Sequence, residues 1–397
     1  MPPLKERDPV AISSRVAEAM ERSSWIRRMF EEGLELKKRF GEAAVCDLSL
    51  GNPDLEPPPA FREALAALAA DPTPGTHRYM PNMGFDEARA AVAAMIAREQ
   101  GVDPGKDGVC MTVGAAGALN VLMKSVLDPG CEVLVPSPFF PEYEFYADNH
   151  GGKLVPVATR PDFGLDFAAL EAAIGPSTRM ILLNAPNNPT GKIYPASDLA
   201  RLGALLDAKA PQATLVADEP YRRLVYGNVT VPSILAATPR SVVASSFSKD
   251  LGLAGERIGF LAVHPAHPDR AKLLPAAGFA NRTLGFVNAP ALLQRLVARL
   301  THERVDTRIY AERLSMMLAG LKKAGYRCVA PEGGMFLFPA SPEADDVAFA
   351  KRLARDEKVL VVPGAGFGAP GFFRVSLAVP GEILERSLPG FARAARR

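Results

Sequence analysis

The segment Ser246-Phe-Ser-Lys249-Asp-Leu-Gly-Leu-Ala-Gly-Glu-Arg257-Ile-Gly259 holds the side chains best spaced for chemistry. It follows a short apolar run at residues 241–245. A lysine after a strand is ordinarily a solvated surface group. Here a serine three residues before it and an arginine eight after it could together hold a dianionic phosphate. The arginine would do so through a charged fork and the serine through its hydroxyl. A lysine beside a bound phosphate ester suggests an imine-forming amine, whose neutral form is reached by lowering its pKa. Upstream, the run at 214–217 ends in Asp218-Glu-Pro-Tyr221. An acid at the carboxyl end of a buried strand suits a positively charged group, and it equally suits a helix cap. Asn184-Ala-Pro-Asn-Asn188-Pro-Thr-Gly191 follows the run 180–183 and is made of turn formers. On its own it reads as a turn as readily as a site.

These residues need a scaffold that brings strand ends together. Between about residues 107 and 263, apolar runs at 108–113, 132–136, 153–158, 180–184, 214–217, 241–245 and 257–263 alternate with helix-like stretches such as 116–127, 167–174 and 195–209. The runs are rich in Val, Ile and Leu and most lack polar alternation, as strands buried on both faces should. The alternation predicts a mainly parallel α/β sheet. In such sheets the chemistry sits at the carboxyl ends of the strands, which is where the three segments fall. The flanks differ. Residues 1–56 hold an amphipathic helix at 23–40, a short strand at 46–50 and the start of a Pro-rich stretch at 53–59. From about 290 onward a long helix is expected, then strand-like pieces at 335–338, 359–362 and 372–377. The expected organisation is an N-terminal arm with part of a smaller α+β lobe at 1–56, a large lobe at 57–290, and the rest of the small lobe at 291–397.

Composition removes several classes of function. The 397 residues carry 46 Lys+Arg against 44 Asp+Glu, a formal charge of +2, with 48% hydrophobic residues. That balance argues against a nucleic-acid binder, which shows a basic excess on some face. The length exceeds what one core usually supports, so two lobes are expected. Cys46, Cys110, Cys131 and Cys328 are scattered without CxxC spacing and read as thiols in a reducing compartment, neither a disulfide framework nor a metal site. Lys5, Glu6, Arg7 and Asp8 leave no signal-peptide core, and no apolar run approaches bilayer length, so a cytoplasmic location is expected. No Walker sequence or complete GxGxxG is present, which counts against nucleotide ligands.

In order and spacing the three segments resemble the aspartate aminotransferase family, the fold-type-I enzymes that use pyridoxal 5'-phosphate (PLP). The resemblance runs from Leu48-Ser-Leu-Gly51-Asn-Pro-Asp54 to Phe373-Arg374-Val-Ser-Leu-Ala378. It implies a PLP-transferase fold with a mainly parallel seven-stranded sheet. It also implies that Lys249 forms the internal aldimine with PLP and shuttles the substrate's proton, and that Asp218 pairs with the pyridinium nitrogen. Tyr221 and Asn188 would bond the cofactor's phenolic oxygen, and Phe140, in Pro136-Ser-Pro-Phe-Phe140-Pro-Glu-Tyr143, would stack on its ring. Ser246, Arg257 and the backbone amides of Ala115 and Ala116 would hold its phosphate. In Val113-Gly-Ala-Ala-Gly-Ala-Leu119 two alanines stand where the family often has a Ser or Thr. One side-chain contact to the phosphate is therefore expected to be missing.

For the substrate, the resemblance assigns the α-carboxylate to Arg374 and gives Gly51 and Asn188 a place beside it. Tyr79, in His77-Arg-Tyr79-Met-Pro, is similar to a tyrosine that reaches the neighbouring subunit's phosphate, implying a homodimer with shared sites. The expected activity is transfer of an amino group from an L-amino acid to a 2-oxo acid, usually 2-oxoglutarate, through pyridoxamine phosphate in a ping-pong scheme. A C–S lyase or another α,β-eliminating enzyme on the same scaffold is the alternative. A PLP-sensing regulator would carry an appended DNA-binding domain, for which residues 1–45 are too short and insufficiently basic. Arg282, in Asn281-Arg-Thr-Leu-Gly, is either a contact to a substrate side chain or a solvated loop charge. The preferred donor stays open.

Overall fold

Seven strands form one sheet: β1 (Val109–Thr112), β2 (Glu132–Pro136), β3 (Lys153–Val157), β4 (Thr178–Asn184), β5 (Thr214–Asp218), β6 (Ser241–Ser246) and β7 (Gly259–Val263). This is a computed structural model, and it describes residues 12–21 and 25–396. The segment read above for a signal peptide, the first residues of the helix expected at 23–40, and Arg397 lie outside the described residues. No described helix is long and apolar enough to cross a membrane.

The strand order is β1-β7-β6-β5-β4-β2-β3. Every ladder is parallel except the two made by β7, which runs antiparallel to β1 and β6. Both faces of the sheet are covered, and successive side chains divide between them as the pleat requires. Leu215, Ala217, Ile181, Leu183, Val243 and Ala262 join one core cluster, while Val216, Met180, Leu182, Val242 and Leu261 join the other. The edge strand β3 is the one that carries an internal proline, Pro156, where no further ladder bond is lost.

The flanks meet in a separate core. Cys46–Asp47 pairs in parallel with Val359–Leu360, and Val362–Pro363, Phe373–Ser376 and Phe336–Leu337 form a three-stranded antiparallel sheet. Cys46 and Leu48 from the start of the chain pack with Tyr310, Met317, Phe336, Phe349, Phe373 and Phe391 from its end. Tyr221 and Leu224, which follow β5, belong to the same cluster and join this core to the large sheet.

Two expectations for the flanks need correction. The long helix from 290 is two helices, Ala291–Arg299 and Thr307–Lys323. The second starts afresh because the Asp306 carboxylate accepts from the Arg308 amide, and Val305 N donates to Asp250 O instead of continuing a helix. The strand piece at 359–362 is also two pieces, which pair in different sheets on either side of Val361. In the large sheet, the strand expected at 257–263 starts at Gly259, because Arg257 adopts a left-handed conformation with φ 52°.

Candidate active site

The pleat decides which residues can meet. Asn184, Asp218 and Ser246 end β4, β5 and β6, and each lies an even number of residues beyond Leu182, Val216 and Val242. All three therefore sit on the same face. Register completes the alignment, with Asn184 opposite Asp218 and Ser246 opposite Gly259. Because β7 runs backwards, its start lies at the carboxyl edge of its neighbours, and the residues before it, including Arg257, arrive at that edge. Gly259 makes this close approach possible: a Cβ there would lie 2.5 Å from Ser245 O and 2.6 Å from the Gly114 carbonyl carbon.

A cavity of about 330 Å³ opens along this edge. It is lined by Lys249, Asp218, Tyr221, Asn188, Phe140, Ala115, Ala116, Ser246, Arg257, Gly51 and Arg374 among others, so sheet edge and flanks share one space. The Lys249 amine donates to Gly51 O at 2.7 Å. Burial, helped by the positive charges of Arg374 and Arg257, pushes its pKa down to about 8. About a tenth of the amine is thus neutral at pH 7, far more than for a free lysine.

Asp218 is buried and held from one side. The Tyr143 hydroxyl donates to its Oδ2, whereas Oδ1 has no hydrogen-bond partner. Burial raises its pKa to about 7, opposed by the Tyr143 hydrogen bond and reinforced by Glu219. A cationic N–H donor in the cavity would satisfy Oδ1 and restore the ionised form. Asn184 fixes the surroundings: its amide donates to Asp218 O at 2.9 Å, and its Oδ1 accepts from Asn188 N at 2.6 Å. Tyr221 is buried, its pKa driven up mainly by that burial.

The opposite end of the cavity is built for an anion. The helix Gly114–Val126 begins there without a side-chain cap, leaving the first-turn amides to a ligand. Ala115, Ala116, Ser246 and Arg257 line this end. The Arg257 guanidinium lies so close that a Cβ on Gly114 would be 2.7 Å from its Nη2.

Arg374 closes the flank side. It is 2% exposed, and its guanidinium lies 4.3 Å from the Phe336 ring centre and 4.8 Å from that of Phe367. Nη1 donates to Asn188 Oδ1 at 3.0 Å and Nη2 to Ser49 O at 2.6 Å, while Nε has no partner. Burial lowers its pKa to about 10, offset in part by Tyr221. Its hydrogen bonds go to neutral oxygens, so an incoming carboxylate supplies the counter-charge that a buried guanidinium needs. Gly51 has a steric reason of its own, since a Cβ there would lie 2.6 Å from Phe336 Cζ.

Of the residues considered from sequence, Tyr79 and Arg282 stay outside the cavity. Tyr79 is 88% exposed on this chain. Arg282 lines a different surface depression, with Asn82, Met83 and Phe279, and lies over the Phe279 ring. Several lining residues had no role in the sequence reading, among them Tyr143, Asn184, Phe336 and Ile26. Tyr143 could have been found, because it stands three residues after Phe140 where the helix Glu142–Asn149 begins. Ile26 and Phe336 come from the flanks and carry no local signal. No group of three or more His, Cys, Asp or Glu that could hold a metal occurs among the described residues.

The family described as aminotransferase class I and II matches residues 43–388. The aspartate/prephenate aminotransferase of Thermus thermophilus is 32% identical over 391 residues, covering 97% of this chain and 99% of its own. A crystal structure of an amino transferase from Eubacterium rectale superposes with a TM-score of 0.93 at 33% identity, covering 98% and 99% of the two chains. An aspartate aminotransferase mutant from Thermus thermophilus gives 0.87 at 29% identity, covering 97% and 100%.

Proposed function

The chain belongs to the class I and II aminotransferases, enzymes that depend on PLP, and from that premise we propose that the cavity at the sheet's carboxyl edge carries out the transfer. In this reading an L-amino acid gives its amino group to a 2-oxo acid, with 2-oxoglutarate the acceptor suggested by the resemblance. One observation carries it. The amine of Lys249, its pKa lowered by burial, shares a cavity with an unpartnered oxygen of Asp218 and an unpartnered nitrogen of Arg374.

The residues fit PLP in three respects. Asp218 Oδ1 is an orphaned acceptor suited to a protonated ring nitrogen. The uncapped helix start with Ser246 and Arg257 suits a phosphate. Phe140 and Tyr221 line the space between these ends and suit a flat ring and its hydroxyl oxygen. PLP, when bound, supplies an electron sink that stabilises negative charge at the substrate's Cα.

The chain's own residues do the rest. Lys249 Nζ would take the proton from the substrate's Cα as a general base and give it back as an acid. Asp218 holds the proton on the ring nitrogen by keeping a full negative charge beside it. Asn188 and Tyr221 hydrogen-bond the ring oxygen. The amides of Ala115 and Ala116, with Ser246 and Arg257, anchor the phosphate. Arg374 grips the α-carboxylate next to Asn188 and Gly51, which fixes the direction of the Cα–H bond. Donor and acceptor use these groups in turn, so the kinetics are ping-pong. The donor leaves as its 2-oxo acid and the acceptor as an amino acid, with no external oxidant. Tyr79, exposed on one chain, finds a role in the cavity of a second copy, and the reading therefore includes a homodimer with shared sites.

The test is a single addition of an amino acid to the PLP-loaded protein without an acceptor. Release of one equivalent of the matching 2-oxo acid, with the nitrogen retained until a 2-oxo acid is added, is expected. Continuous release of pyruvate and ammonia would overturn it in favour of elimination.

A further inference from the structure

Each of the two residues central to the proposed chemistry is followed by a buried acid that points away from the cavity. Asp218 is followed by Glu219, just past the end of β5, and Lys249 by Asp250; Glu219 and Asp250 are 3% and 7% exposed. Both border a small cavity of about 20 Å³ behind Ser246, together with Glu99, Arg222 and Arg223. We propose that Arg223 is a positioning residue for Lys249, acting through Asp250. This rests on the reading of Lys249 given above.

The geometry centres on one guanidinium. Arg223 Nη1 donates to Asp250 Oδ2 at 3.3 Å and to Glu303 O at 3.2 Å. Nη2 donates to Thr301 O at 2.7 Å, and Nε to Glu99 Oε1 at 3.0 Å. The end of the helix Asp86–Gln100, the loop 301–305 and the turn that carries Lys249 are thereby tied to one rigid fork. The backbone repeats the tie, with Val305 N donating to Asp250 O at 2.7 Å. Lys249 itself lies in no helix or strand, between the end of β6 and the start of β7. Its place therefore depends on what holds its neighbours. Asp250 Oδ1 has no hydrogen-bond partner, and Oδ2 carries the contact to Arg223.

Stability does not require charge at this place. Buried ion pairs can often be replaced by well-packed apolar groups at no loss, so the network's charges call for another reason. A guanidinium supplies five donors in fixed directions, which an apolar contact or a flexible ammonium cannot reproduce. Direction matters here because a displacement of about 1 Å of a reacting group can cost about 100-fold in rate. Burial raises the Asp250 carboxyl to about 6, with Arg223 as the chief opposing influence, so the arginine also keeps its partner ionised near neutral pH.

The experiment compares Arg223→Lys, Asp250→Asn and the double variant as full-length protein. In the PLP-loaded form, kcat should fall about 10- to 100-fold in each single variant. KM for the donor should stay within about threefold, because Arg374 is untouched. The double variant should lose no more than the worse single, since the two residues act through one another. In the cofactor-free form, the pH midpoint for labelling Lys249 with an amine-reactive reagent should shift from the wild-type value in all three, because the burial of the amine depends on the turn that carries it. An unchanged kcat and labelling midpoint in variants that merely melt at lower temperature would overturn the proposal. So would additive losses in the double variant. If Arg223→Lys does not fold, Asp250→Asn with Glu99→Gln carries the same comparison. A wild-type protein that labels at Lys249 with a lowered midpoint yet transfers no amino group would refute the aminotransferase reading and leave this one standing.

Discussion

The sheet edge and the flanks meet at one cavity but contribute in different ways. Asn184, Asp218 and Ser246 end strands whose side chains are buried on both faces, and pleat and register fix where each points. Arg374, Gly51, Phe336 and Ile26 come from short strands, a loop and a helix that belong to other clusters. There, position comes from packing: Arg374 lies between two phenyl rings, and Gly51 exists because Phe336 needs its space. In the proposed function this becomes a division of labour, with the sheet edge assigned to the cofactor and the proton and the flanks to the substrate. Substrate preference can then change by repacking a flank while the chemistry stays on the sheet.

Variants can break that division or sharpen it. The largest effect is expected for Lys249→Ala, which should reduce transfer by about 10⁴-fold in steady-state assays while leaving the fold intact. Retained turnover would remove the sheet edge's central residue from the account. Asp218→Asn should follow at about 10²- to 10³-fold in kcat, because the charge beside the ring nitrogen is lost. A near-normal rate would contradict the role of Oδ1. Arg374→Ala should raise KM for amino and 2-oxo acids, lowering kcat/KM by about 100-fold while PLP affinity, measured by equilibrium dialysis, changes little. Loss of PLP in that variant would show that the flank serves the cofactor and that the division fails.

The smallest effect concerns stability. The Asp218 carboxyl titrates near 7 in the folded chain, against about 4 for a free aspartate. Between those values the folded state holds the extra proton, so stability falls as the pH rises from about 4 through 7. Removing the ionisable group removes that loss. Cofactor-free Asp218→Asn should therefore melt about 3 °C above the cofactor-free parent at pH 8, and no higher at pH 4. Calorimetry at the two pH values checks both halves.

The contrast also explains what the sequence could reveal. Lys249, Asp218 and Asn188 were legible because each lies in a short contiguous motif directly after an apolar run. Arg257 was legible as a type at a spacing, but its arrival at the site depends on β7 running antiparallel, which no local pattern announces. Asn184 touches Asp218 only because β4 and β5 are neighbours in register, a consequence of strand order. The break after Leu300 was missed because the capping aspartate, Asp306, sits inside an otherwise helical stretch. The flanks hid Ile26 and Phe336 for a related reason: apolar residues there read as core, and only the assembled fold shows which of them face the cavity.

The proposed function turns on Lys249, to which the family resemblance assigns the bond to the cofactor. The most direct measurement is to load the protein with PLP, reduce it with borohydride, and map the modified peptide by mass spectrometry. The account predicts the cofactor fixed to Lys249 in the peptide containing Ser246 and Asp250, with none fixed in the Lys249→Ala variant. Cofactor fixed to another lysine, or to none, would contradict it.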